Sequence, residues 1–160
     1  MNRFNELISR LPIRHQVALS WYFDHTGQKC SWPEPISTPD GQTFLATKAK
    51  GIYKPKWSEY ALSIRESLQS SYPDGEPVFR SDGTWSYRYF QENIDQFARD
   101  NFYTNRALIN CKENKIPIGV FRQITKRPKS KYHILGVALV TNWEDGYYLL
   151  EGFSSRGFTR

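Results

Sequence analysis

The sequence predicts an α+β domain, a curved β-sheet or small β-barrel flanked by helices, with two helices at the N-terminus. Three observations predict it. Apolar residues at the front recur at helical spacing, as Phe4, Leu7, Ile8 and Leu11. Several later stretches alternate or run apolar over strand-like lengths. Steps such as Pro-Asp-Gly and Asp-Gly separate them. At 160 residues the chain suits one core.

The first segment divides at Pro12, giving helices near 3–10 and 13–25, the second carrying Val17, Leu19, Trp21 and Tyr22 and stopping at Gly27. Residues 30–57 are rich in Pro and Gly and read as loop, with a short strand at Thr43 to Thr47. EYALSIRE (59–66) alternates, with Tyr60, Leu62 and Ile64 on one face. TWSYRYFQ (84–91) alternates more strongly: Trp85, Tyr87 and Tyr89 share one face, Ser86, Arg88 and Phe90 the other. Residues 93–114 suit one or two helices. IPIGVFRQIT is a strand closed by the basic turn KRPKSK, and two further strands meet at the hairpin turn Glu144-Asp145-Gly146. Residues 1–50 are thus expected to pack on a core of 51–153, with 154–160 opening a linker.

The formal net charge of +6 favours a polyanionic partner. Between 112 and 131 stand Lys112, Lys115, Arg122, Lys126, Arg127, Lys129 and Lys131, against the single acid Glu113. Two isolated cysteines, Cys30 and Cys111, argue against a disulfide scaffold or a cysteine-rich zinc site and make a reducing cytoplasm the default. No apolar run approaches the roughly 18 residues of a membrane span. The N-terminus lacks the apolar centre of a signal peptide. His15, His25 and His133 are too scattered for a metal site, and no P-loop, catalytic triad or H-E-x-x-H spacing occurs. The sequence therefore predicts no catalytic residue, metal or cofactor.

The order YTNRALINC, PIGVFRQ, KSKY and LGVALVTNWEDGYYLLEGF, with TWSYRY upstream, resembles the SRA (YDG) domain of the PUA-like class over roughly residues 51–153. The front of the chain, with ALSWYF, SWPEP and GIYKPKWSEYALSIRESL, looks like the N-terminal module of bacterial HNH restriction endonucleases that cut modified DNA. The resemblance implies a DNA-binding module that flips a modified base, 5-methylcytosine or 5-hydroxymethylcytosine, out of duplex DNA into an aromatic pocket. Carried over by position, Tyr72 and Asp74 of SYPDGEP match the family's first tyrosine and its acidic residue, and Tyr87 matches its second tyrosine. Two departures stand out: Asp74 follows Tyr72 by two positions where the family has three, and Arg88 replaces a threonine. The resemblance further implies a bacterial, cytoplasmic protein whose HNH nuclease domain lies beyond Arg160 and through which it would dimerise.

The residue types suit that chemistry. Extruding a base costs a few kcal/mol, and stacking on aromatic faces returns about 1–3 kcal/mol per base. A carboxylate such as Asp74 accepts from an amino-bearing base edge. Burying one methyl adds roughly 0.8 kcal/mol, under tenfold in affinity, so strong preference needs a snug pocket or a larger group. The expected base pocket is Tyr72, Asp74, Trp85, Tyr87 and Tyr89. Pleating leaves open which of Tyr87 and Tyr89 stacks. Lys126, Arg127, Lys129 and Lys131 are expected on DNA phosphates, with Arg88 beside the pocket.

Plainer readings stand beside these. An aromatic stripe is usually core, SYPDGEP is also a simple turn, and KRPKSK is also a solvated hairpin. Asn105 and Arg106 read as helix tethers. Competing functions are an N6-methyladenine reader, an RNA-binding PUA-like domain, and a small enzyme using Asp74 or Glu92 as base.

Overall fold

The structure, a computed structural model, describes residues 2–68, 76–90 and 99–160. Helix α1 (Arg3–Ile8) starts where the Asn2 side chain accepts the Asn5 N–H at 2.7 Å, and it buries Phe4 and Ile8 one turn apart. Helix α2 (Ile13–Asp24) follows Pro12, whose carbonyl accepts from His15 and Gln16, each at 3.0 Å. It buries His15, Ala18, Leu19 and Tyr22, a single helical stripe. Gly27, at φ +82°, then turns the chain so that its N–H reaches the Ile134 carbonyl.

The Pro-rich region holds four short strands: β1 (Lys29–Cys30), the hairpin β2 (Ile36–Thr38) and β3 (Gly41–Thr43), and β4 (Ile52–Tyr53). The strand expected at 43–47 therefore ends where it was expected to begin. Leu45 and Ala46 are buried as loop, and the Leu45 carbonyl accepts from the Tyr22 and Ser63 hydroxyls, both at 2.8 Å, instead of a ladder partner. The remaining elements are β5 (Ser63–Glu66), β6 (Val78–Phe79), β7 (Trp85–Phe90), α3 (Arg99–Asn114), β8 (Ile118–Thr125), β9 (Lys131–Glu144) and β10 (Tyr147–Gly152). Asp145 and Gly146, both at positive φ, make the β9–β10 turn.

One sheet runs in the order β4-β5-β8-β9-β10-β7-β6, and β1 pairs with β9. All its pairs are antiparallel except β5–β8. Three strands separate β5 from β7, yet the Tyr89 hydroxyl reaches the Arg65 carbonyl at 3.5 Å. The sheet therefore curls toward closure, and the α+β class with a curved sheet and flanking helices is what the chain adopts.

Each helix is fixed by a named contact. Tyr22 of α2 lies flat against Gly119 of β8, where a Cβ would collide with its ring. On α3, the Asn105 side chain accepts from the Tyr148 hydroxyl of β10 at 3.0 Å, and the Cys111 thiol donates to the Ala61 carbonyl. Residues 154–160, expected to open a linker, turn back on α1: Phe153 and Gly157 are buried, and the Gly157 carbonyl accepts from Phe4 N–H at 3.1 Å.

Candidate nucleic-acid interface

The β8–β9 hairpin presents Lys126, Arg127, Lys129 and Lys131, all exposed. Among the described residues none of the four has an ion-pair partner. Between this hairpin and the N-terminal loops lies an open groove of about 700 Å³. Trp32, Lys48, Arg65, Arg127, Lys129 and Tyr132 form most of its wall, and among the described residues no carboxylate lines it. A smaller recess of about 200 Å³ continues past Arg65 and Tyr132 toward Gln123 and Lys126. The half-buried Trp32 ring meets Phe121 and Tyr132 edge-on, with centroids 5.7 and 5.3 Å away. The groove is thus cationic and aromatic at once, a combination suited to nucleotides.

On β7 the pleat points Trp85, Tyr87 and Tyr89 inward, with 1%, 3% and 4% of their surface exposed. Trp85 covers Gly152, its partner in the β7–β10 ladder. The Tyr87 hydroxyl is buried without a hydrogen-bond partner among the described residues. Over its ring, 5.7 Å from the centroid, stands the Arg122 guanidinium. Glu66, opposite Arg122 in the β5–β8 ladder, accepts from it at 3.2 Å, and Glu76 accepts at 2.8 Å. That hydrogen bond holds the Glu76 carboxyl below its ordinary range.

Successive residues of β5 therefore serve opposite faces. Arg65 joins Trp32 in the groove, while Glu66 fixes Arg122 over Tyr87. Arg88 points away from the Tyr87 face and lies 4.1 Å over the Tyr147 ring.

Of the expected base-pocket residues, Tyr87 and Tyr89 share one buried face with Trp85, and Tyr72 and Asp74 lie outside the described residues, as does Glu92. The four hairpin cations stand together, and Arg88 does not join them. Sequence reasoning missed Trp32, Lys48, Arg65, Arg122 and Tyr132. The available signal for Arg122 was a charge set directly after the buried run 118–121 of the same strand. For Trp32 it was a large aromatic set between Ser31 and Pro33 in a loop.

Among the described residues no group of three or more His, Cys, Asp or Glu could hold a metal. His15 is buried beside Trp57, and desolvation pushes its pKa down to about 4. His25 stacks on Trp21 at 4.1 Å. Burial pushes the Cys111 thiol up to about 12. No helix among the described residues is long and apolar enough to cross a membrane.

No family model matches the chain, and no curated protein matches it. Two solved structures are similar. A crystal structure of KRYPTONITE in complex with mCHG DNA and SAH aligns over 59% of this chain and 23% of that one, at 22% identity and a TM-score of 0.38. A second, of KRYPTONITE in complex with mCHH DNA, an H3(1-15) peptide and SAH, aligns over 80% of this chain and 31% of that one, at 18% identity and a TM-score of 0.45. The chain spans less than a third of the length of either.

Proposed function

We propose that this chain is a DNA-binding module that recognises a modified base, 5-methylcytosine or 5-hydroxymethylcytosine, in duplex DNA by swinging it out of the helix. The observation that carries the reading is that, among the described residues, four exposed hairpin cations have no ion-pair partner and the groove beside them has no carboxylate in its wall. Exposed cations of this kind suit phosphates, which supply most of the affinity of such modules. Base recognition is assigned to the Tyr87 face together with Tyr72 and Asp74. The sequence resemblance supports this, and so does a buried Tyr87 hydroxyl whose bonding capacity is unused among the described residues.

In the same reading, the module performs no chemistry and delivers a nuclease domain of the HNH type carried by the full protein. The test is binding to matched duplexes carrying cytosine, 5-methylcytosine, 5-hydroxymethylcytosine or N6-methyladenine. Preference for a modified cytosine by more than the roughly tenfold ceiling of a single buried methyl supports a shaped pocket. Preference for N6-methyladenine replaces the cytosine assignment. Equal affinity for all four removes the reading.

A further inference from the structure

Phosphate contacts explain the hairpin cations but not the tryptophan among them. Trp32 comes from the loop after β1, and Phe121 and Tyr132 meet it at interplanar angles of 76° and 78°. Two cations lie over its ring, Lys48 Nζ at 5.3 Å and Arg65 Cζ at 5.9 Å from the centroid. Arg65 is held in place, donating to the Lys48 and Lys50 carbonyls at 3.4 and 3.2 Å, while its Nε is buried with no partner among the described residues. Tracking a DNA backbone needs only exposed lysines. A fixed indole and a fixed guanidinium in a groove of about 700 Å³ make instead a site of the size that small ligands occupy.

We infer that this groove is a second nucleotide site, holding one unstacked nucleotide of a DNA strand. Its base or sugar lies against Trp32 and Tyr132, and its phosphate sits among Lys48, Arg65 and Arg127. The site is distinct from the Tyr87 face, because β5 sends Arg65 and Glu66 to opposite faces of the sheet. It rests on the DNA-binding part of the reading above and not on base flipping. Stacking on an indole tolerates any base, so the groove adds affinity and register without reading the modification.

The experiment compares the parent protein with Trp32→Leu and Lys48→Gln. Leucine keeps apolar volume against Phe121 and Tyr132. Lys48 is exposed, so its replacement leaves the buried core intact and the comparison survives a poorly folded Trp32 variant. Affinity is measured for unmodified duplex, modified duplex, and the corresponding single DNA and RNA strands. Trp32→Leu is expected to lose about tenfold on modified and unmodified DNA alike. Lys48→Gln is expected to lower the slope of log affinity against log salt by about one. Both variants within twofold of the parent on every DNA ligand would overturn the site. Should the parent still prefer modified duplex in that case, the base-reading function stands without it. A parent with no such preference whose variants lose affinity as expected keeps the groove and loses base reading. Stronger Trp32-dependent binding to the RNA strand than to the DNA strand would overturn the DNA assignment.

Discussion

The Arg122 guanidinium stands 5.7 Å over the Tyr87 ring, held there by Glu66 and Glu76, and the hydroxyl of the same tyrosine is buried with no partner among the described residues. A buried hydroxyl left unpaired costs roughly 1–3 kcal/mol. Tyr87→Phe removes that cost while keeping the ring, so urea unfolding should show stability equal to or above the parent's. In the proposed function the hydroxyl meets the recognised base, so the same variant should lose part of its preference for modified duplex. A variant that is less stable and binds unchanged would place the hydroxyl in the core alone.

The hairpin cations should act on all DNA equally. Lys129→Gln and Lys131→Gln are expected to weaken modified and unmodified duplex by the same factor and to lower the salt slope by about one unit for each phosphate that is no longer neutralised. Titrations at several salt concentrations measure this, and an effect confined to modified duplex would contradict it.

Gly152→Ala tests the β7–β10 seam. The Trp85 indole occupies the space where a Cβ at Gly152 would stand, and the two residues pair directly across the ladder. The ring is buried and the strand backbone is held in the ladder, so the variant should lose about 3 kcal/mol in urea unfolding. Gly119→Ala, under the Tyr22 ring, should behave likewise.

His15 gives the fold a pH dependence of defined sign. Desolvation lowers its pKa from 6.5 to about 4, so between these values the unfolded chain binds the proton and the folded chain does not. Stability is then fullest above pH 6.5 and falls as pH drops toward 4, by about 3 kcal/mol for this group alone. Chemical unfolding at pH 7.5 and pH 4.5 should show a smaller difference for His15→Leu than for the parent.

Much of the fold was legible locally. Pro12 and Gly27 punctuate the first helices where the apolar spacing ends, and the alternation of Trp85, Tyr87 and Tyr89 defines β7 and its buried face. The region 30–57 was harder to read. Leu45 is buried as loop with its carbonyl satisfied by the Tyr22 and Ser63 hydroxyls, and those residues stand far from it in sequence. The same distinction holds at the interface. Lys126, Arg127, Lys129 and Lys131 are contiguous and were readable as a cluster, whereas Trp32, Lys48 and Arg65 converge from three separate segments that only the tertiary fold brings together. Arg122 was visible merely as one basic residue among many, since its pairing with Glu66 depends on the parallel β5–β8 register.

The most direct measurement is the fluorescence of 2-aminopurine placed beside the modified cytosine in a duplex. Saturation with this protein should raise the signal sharply for the modified site and leave the unmodified control near its stacked, quenched level. An unchanged signal at full occupancy of the modified duplex would mean that the helix stays intact, and no base enters the protein.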